Sequence, residues 1–413
     1  MPSARQLQDA LDRLVAALPH MGSAEEPIHN AVAVVEHPGR GLRAAAAAGR
    51  MRDDSDAPMA IGTQFHIASV VKPMTATLIF QAAEDGLIGP AGIDTKLIDT
   101  GVLAPYLVRR LHNIHGRSHG ADITLRHLLT HTSGLRDGQV DDGEYLAGGY
   151  IGRAAPNSLS GRRWPDLDAH MAAYRSNKGP PPGLRTTMHW KPWDPARPDD
   201  PDAGVLNFYL AAHTAGARAL FPPGHGFHYS DTAFTILALL AENLLGASFA
   251  RLLHDRIYLP CGMTDSYYIA DSDLDPTPWQ RDLSDCWNGP YPLVSAGFDL
   301  SNDWGGGGVV ATASDLNRFL IGLLAGRLFR RQGTLAEMTR FIAPPGLASY
   351  AAIGHGLLGF RSPAGRFLFG HSGAWGAKML YDPANGFFYS GTINRRGVRG
   401  EWMLEIADAV AAL

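Results

Sequence analysis

Ser69 and Lys72 are the residues whose types and spacing are best suited to chemistry, in the run Phe65-His66-Ile67-Ala68-Ser69-Val70-Val71-Lys72-Pro73-Met74-Thr75. Proline lacks an N–H and fits only a helix's first turn, so Pro73 places the start of an apolar helix, Met74 to Ala83, close to Ser69. Ser69 and Lys72 then project from one face. The Ser69 N–H lies among the free donors of a helix start, where a developing oxyanion is stabilised. A serine with an amine in reach is a nucleophile with a candidate base. Of 36 Lys+Arg only five are lysine, and only Lys72 has a serine three residues before it. A chain that otherwise uses arginine has put the one cation that can lose its proton when buried into an apolar helix.

Tyr229 is the next candidate. Pro222-Pro223-Gly224-His225-Gly226-Phe227-His228-Tyr229-Ser230-Asp231 is a turn that delivers it to the head of a second apolar helix, Ala233 to Leu245. Beside an ammonium, a phenol becomes a proton relay. His127 and His131, four apart, lack the glutamate of a zinc helix, and no metal site is expected. The glycines of Trp304-Gly305-Gly306-Gly307-Gly308 lack a following Gly-Lys-Ser/Thr, so close backbone approach beside a cleft is expected rather than phosphate binding.

The elements that must position these groups are legible in outline. Leu7, Leu11, Leu14 and Leu18 recur at helical spacing, as in a helix packed on a sheet. Ala31 to Val35 and Leu42 to Ala48 flank the Pro/Gly turn of a β-hairpin, and a short strand at 65–67 leads into the Ser69 helix, which stops at Asp85-Gly86. Residues 136–220 form a Pro/Trp-rich insertion with helical pattern returning from Asn207. Strand-like runs at Arg366 to Phe369, Lys378 to Tyr381 and Phe387 to Ile393 precede a closing helix, Glu401 to Leu413. The expected class is α+β. Residues 1–68 and 290–413 form a discontinuous sheet domain, and 69–289 form a mostly helical one.

With 413 residues, 45% hydrophobic, 18% charged and net charge −4, the chain has the composition of a soluble globular protein and no basic surface for nucleic acid. No run approaches the roughly 20 apolar residues of a membrane span. Cys261 and Cys286 make neither a disulfide framework nor a metal pattern. No cofactor, nucleic acid or membrane partner is expected, and a cytoplasmic location is. The oligomeric state is left open.

These motifs, taken in order, resemble those of the serine β-lactamase-like hydrolases: class C β-lactamases, family VIII carboxylesterases, D-aminopeptidases, penicillin-binding-protein-like enzymes and related acyltransferases. The resemblance is carried by Ser69-x-x-Lys72, Leu128-Leu129-Thr130-His131-Thr132-Ser133-Gly134-Leu135, and Pro223-Gly224 ahead of Tyr229-Ser230-Asp231. It continues through Leu259-Pro260-Cys261-Gly262-Met263, the glycine run before Ala313-Ser314-Asp315-Leu316, Gly370-His371-Ser372-Gly373, and Thr392-Ile393-Asn394. It implies an antiparallel sheet with flanking helices, an inserted helical domain and a site between them. It also implies acylation of Ser69, proton transfer shared by Lys72 and Tyr229, and an oxyanion hole of the Ser69 and Ala374 N–H groups. Asp231, His371, Ser372 and Gly373 would bind substrate.

Two residues depart from the β-lactamase pattern. Asp231 stands where asparagine is usual, and His371 replaces the lysine of Lys-Thr-Gly. Both disfavour an anionic substrate, and a carboxylate near Lys72 would hold it charged and move the activity optimum to alkaline pH. The expected function is therefore an acyl-enzyme hydrolase of carboxylic esters or small amides. An acyltransferase using an alcohol or amine acceptor is the alternative. A β-lactamase or D-aminopeptidase-like peptidase is the second, and a binding protein with a vestigial site the reading of another class.

Overall fold

The computed structural model describes residues 2–23, 26–138, 167–176, 193–200, 203–214, 219–269, 283–297, 300, 304–397 and 400–413. Much of the Pro/Trp-rich segment expected at 136–220 lies outside these residues.

Helix α1 (Ala4–Ala17) starts where Ser3 accepts the Gln6 N–H and the Gln6 side chain returns to the Ser3 N–H. A hairpin follows, β1 (Asn30–His37) and β2 (Leu42–Arg52), with Gly41 left-handed (φ 62°) at its turn. Then come β3 (Ser55–Pro58), β4 (Phe65–His66) and α2 (Lys72–Glu84). The middle of the chain supplies α3 (Leu125–Leu129), α4 (Leu167–Arg175), α5 (Val205–Thr214), α6 (Asp231–Leu245), β5 (Tyr267–Tyr268), α7 (Trp304–Gly307), β6 (Val309–Ala311) and α8 (Ala313–Leu324). Strands β7 (Ala352–Ile353), β8 (Leu358–Arg361), β9 (Phe367–Ser372), β10 (Lys378–Asp382) and β11 (Phe387–Thr392) precede α9 (Trp402–Ala411).

Among the described residues the main sheet has eight strands, all antiparallel, in the order β7-β8-β9-β10-β11-β1-β2-β3. It joins distant parts of the chain, since β1 pairs with β11 in the register Val32 to Thr392. Alternation along β1 sorts the two faces. Ala31, Ala33 and Val35 pack with Leu7, Leu11 and Val15 of α1 and with Trp402, Met403 and Ile406 of α9. Val32 and Val34 join the larger core of α2, α6 and α8 on the other side. Helix α2 lies inside that core, with Met74, Ala76, Leu78, Ile79 and Ala82 fully buried. Uniform burial explains why its sequence is apolar all round.

A second, three-stranded sheet, β4-β6-β5, fixes the approach to Ser69. No single helix among the described residues is long and apolar enough to cross a membrane.

Candidate active site

Pairing of β4 with β6 ends at the turn that carries Ser69, and the Ile67 N–H donates to the Val309 carbonyl at 3.0 Å. Ala68 then takes a left-handed conformation (φ 47°), which costs a non-glycine residue on the order of 1–3 kcal/mol. Ser69 lies in a short 3-10 turn, Ala68–Val71, that runs directly into α2 with Pro73 in its first turn.

Lys72 is fully buried. Its Nζ donates to Ser69 Oγ at 2.9 Å and to the Gly306 carbonyl at 2.7 Å, and it is ion-paired with Asp231 Oδ1. Three acceptors match the three N–H groups of an ammonium. The three contacts are those of a buried ion pair with two neutral acceptors beside it. The ammonium also faces the Tyr229 and Phe234 rings, 4.9 and 5.4 Å from their centroids.

The glycine run makes room for this arrangement. Thr75 Oγ1 donates to the Gly305 carbonyl at 2.8 Å. A Cβ on Gly305 would lie 2.3 Å from the Ala238 Cβ on α6, and one on Gly306 would lie 3.1 Å from Asp231 Oδ1. Helix α7 therefore fits between α2 and α6 with bare backbone, and one of its carbonyls reaches the lysine.

Asp231, expected on the substrate side, is 4% exposed at the head of α6, with its carboxylate turned onto Lys72. Tyr229 stacks on His131, their centroids 4.3 Å apart. His131 Nδ1 accepts the Ser230 N–H at 3.1 Å, which puts the proton of the neutral ring on Nε2. Burial first, then Lys72 and His371, hold His131 well below the usual histidine range. His127 turns elsewhere, its Nδ1 accepting the Thr124 N–H.

His371, fully buried on β9, donates from Nδ1 to the Ser372 carbonyl at 2.8 Å, so Nε2 carries the ring's lone pair. Burial, then Lys72, push it down to about 3. Its ring lies 6.3 Å from that of Tyr229. Beyond it, Gly373 presses on the Ser69 turn, where a Cβ would sit 2.2 Å from the Ile67 carbonyl oxygen. Ala374 follows and packs in a small apolar cluster with Ala68, Met171 and Trp375.

The fold thus gathers Ser69, Lys72, Tyr229, Asp231 and His371, with Gly373 and Ala374 against the Ser69 turn. His131, Phe234 and the Gly306 carbonyl belong to the same cluster but were not singled out as site residues. The one signal for His131 was its place within Thr130-His131-Thr132-Ser133-Gly134.

An antiparallel sheet flanked by helices, with a Ser-x-x-Lys at a buried helix start, defines the β-lactamase/transpeptidase-like fold of the serine β-lactamase-like superfamily. The chain belongs to the Beta-lactamase family, whose model matches residues 11–408. The D-amino acid amidase from Ochrobactrum anthropi SV3 superposes with TM-score 0.66 at 20% identity, covering 98% of this chain and 96% of that one. EstCE1, a hydrolase with promiscuous acyltransferase activity, gives 0.62 at 18%, covering 98% and 99%. Penicillin-binding protein 4* of Bacillus subtilis (strain 168) is 24% identical over 209 residues, 51% of this chain. That match spans 31% of the relative's own length. The family and these neighbours are hydrolases that include amidases, esterases and penicillin-binding proteins.

Proposed function

We propose that the protein is a serine hydrolase that works through an acyl-enzyme on carboxylic esters or small amides. The observation that carries this reading is the 2.9 Å hydrogen bond between the fully buried Lys72 Nζ and Ser69 Oγ. Ser69 attacks the carbonyl, Lys72 and Tyr229 share the proton transfers, and the Ser69 and Ala374 N–H groups receive the oxyanion. His371, Ser372 and Gly373 line the approach of the substrate. Likeness to an amidase and to an esterase supports both leaving-group classes. Likeness to EstCE1 favours acyl transfer to an alcohol or amine as the second reading, since only the acceptor differs. A β-lactamase role is disfavoured by His371, which offers a neutral imidazole where an anionic carboxylate would need a cation.

A fluorophosphonate or a slow ester should add one adduct mass, mapped to Ser69. Labelling at full rate in Ser69→Ala would overturn the proposal.

A further inference from the structure

We infer that Asp231 is the proton-holding partner of Lys72, taking a proton from the ammonium so that the lysine can receive the one leaving Ser69. This rests on the serine-hydrolase reading above.

The ion pair is closed to solvent, its side chains 0% and 5% exposed. Both charges have lost their water, and the lysine's other two protons go to neutral acceptors, Ser69 Oγ and the Gly306 carbonyl. Moving one proton from Nζ to Oδ1 turns two buried charges into two neutral groups and leaves the net charge unchanged. Desolvation penalises the charged form of each group, so burial narrows the gap between the two forms. The groups facing the pair do not reverse this. Tyr229 and Phe234 present ring faces, and His131 and His371 are held neutral by burial.

The step balances. Ser69 Oγ bonds to the substrate carbonyl carbon, and the carbonyl π pair moves to oxygen. The Oγ proton goes to Lys72 Nζ, which has passed one of its own to Asp231 Oδ1. The product holds an ammonium, a carboxylic acid and an oxyanion, and its total charge equals that of the start. On collapse the leaving group takes a proton from Lys72, and Asp231 returns its own. Asp231 touches no reacting atom, so it acts as a positioning residue through Lys72.

The test is the pH profile of kcat/KM on a neutral chromogenic ester, for the wild type and Asp231→Asn, with proton inventories in H2O/D2O mixtures. Because the proton moves inside the pair, the wild-type profile should be flat from about pH 6 to 8 and its inventory curved, with two protons in flight. In Asp231→Asn the internal acceptor is gone and only the serine proton can move, so the inventory should become straight, with one proton in flight. A curved inventory in Asp231→Asn overturns the inference. If that variant does not fold, a straight wild-type inventory overturns it. Wild-type enzyme that never acquires the adduct on Ser69 sinks the serine reading itself; labelling with an unchanged Asp231→Asn inventory sinks only the inference.

Discussion

Gly373 meets the Ile67 carbonyl so closely that a β-carbon on the glycine would stand 2.2 Å from that oxygen. Strand β9 and the Ser69 turn touch there, backbone to backbone. Neither side can yield, because Ile67 is tied to Val309 and Gly373 donates to Ala377 at 2.8 Å. Gly373→Ala should therefore force Ala374 away from Ser69. We expect kcat/KM to fall at least about 100-fold, with a stability loss of about 1–3 kcal/mol by thermal melting. Full activity would mean that the two segments separate without consequence.

Lys72→Arg keeps the positive charge but cannot accept a proton, and its planar fork does not fit three acceptors arranged around one nitrogen. Loss of turnover nearly as large as in Lys72→Ala is expected. If the arginine variant kept more than about a tenth of wild-type turnover, Lys72 would be only an electrostatic support.

Much of this site was legible because it is local. Ser69, Lys72 and Pro73 lie within one turn of chain, where spacing and a missing N–H dictate geometry. Tyr229 and Asp231 were found because a Pro-Gly turn and an apolar helix bracket them. His131 was not, since its role depends on a loop that folds back across about a hundred residues to meet Tyr229 and Ser230. The Gly306 acceptor was invisible for a different reason. It is a backbone carbonyl, and what the sequence recorded was only the absence of side chains around it. Asp231 was expected both near Lys72 and facing the substrate, and its carboxylate turns onto Lys72, because a helix's first residue can turn towards either the cleft or the core.

His371 gives a stability profile with a definite sign. The folded chain holds it near 3, against about 6.5 when unfolded, so the unfolded state binds the proton first. Its contribution is fully present above about pH 6.5 and is lost as pH falls towards 3. His131 acts in the same direction. Between pH 7 and 5 the wild type should lose about 2 kcal/mol through His371 that His371→Gln does not lose. Denaturant melts at the two pH values check this, and equal losses in both proteins would show that His371 is accessible to protons in the folded state.

Substrate charge should follow the same residue. With Asp231 neutralised by Lys72 and His371 uncharged, nothing cationic at position 371 meets a substrate carboxylate. Matched neutral and carboxylate-bearing esters should differ at least about tenfold in kcat/KM in favour of the neutral one, and His371→Lys should narrow that gap. A ratio that ignores this substitution would place the substrate's acid elsewhere.

The register that joins Val32 to Thr392 also sets an order of events during synthesis. While a ribosome is still making residues near 380, β1 has β2 beside it but an open edge where β11 will lie. The Ser69 turn likewise waits for β6 and for Gly373 before its position is fixed. Long-range pairing of this kind is slow and leaves strand edges exposed meanwhile. Catalytic competence should therefore appear only after the last strand has left the exit tunnel, and stalled chains ending before residue 387 should fail to take the fluorophosphonate label.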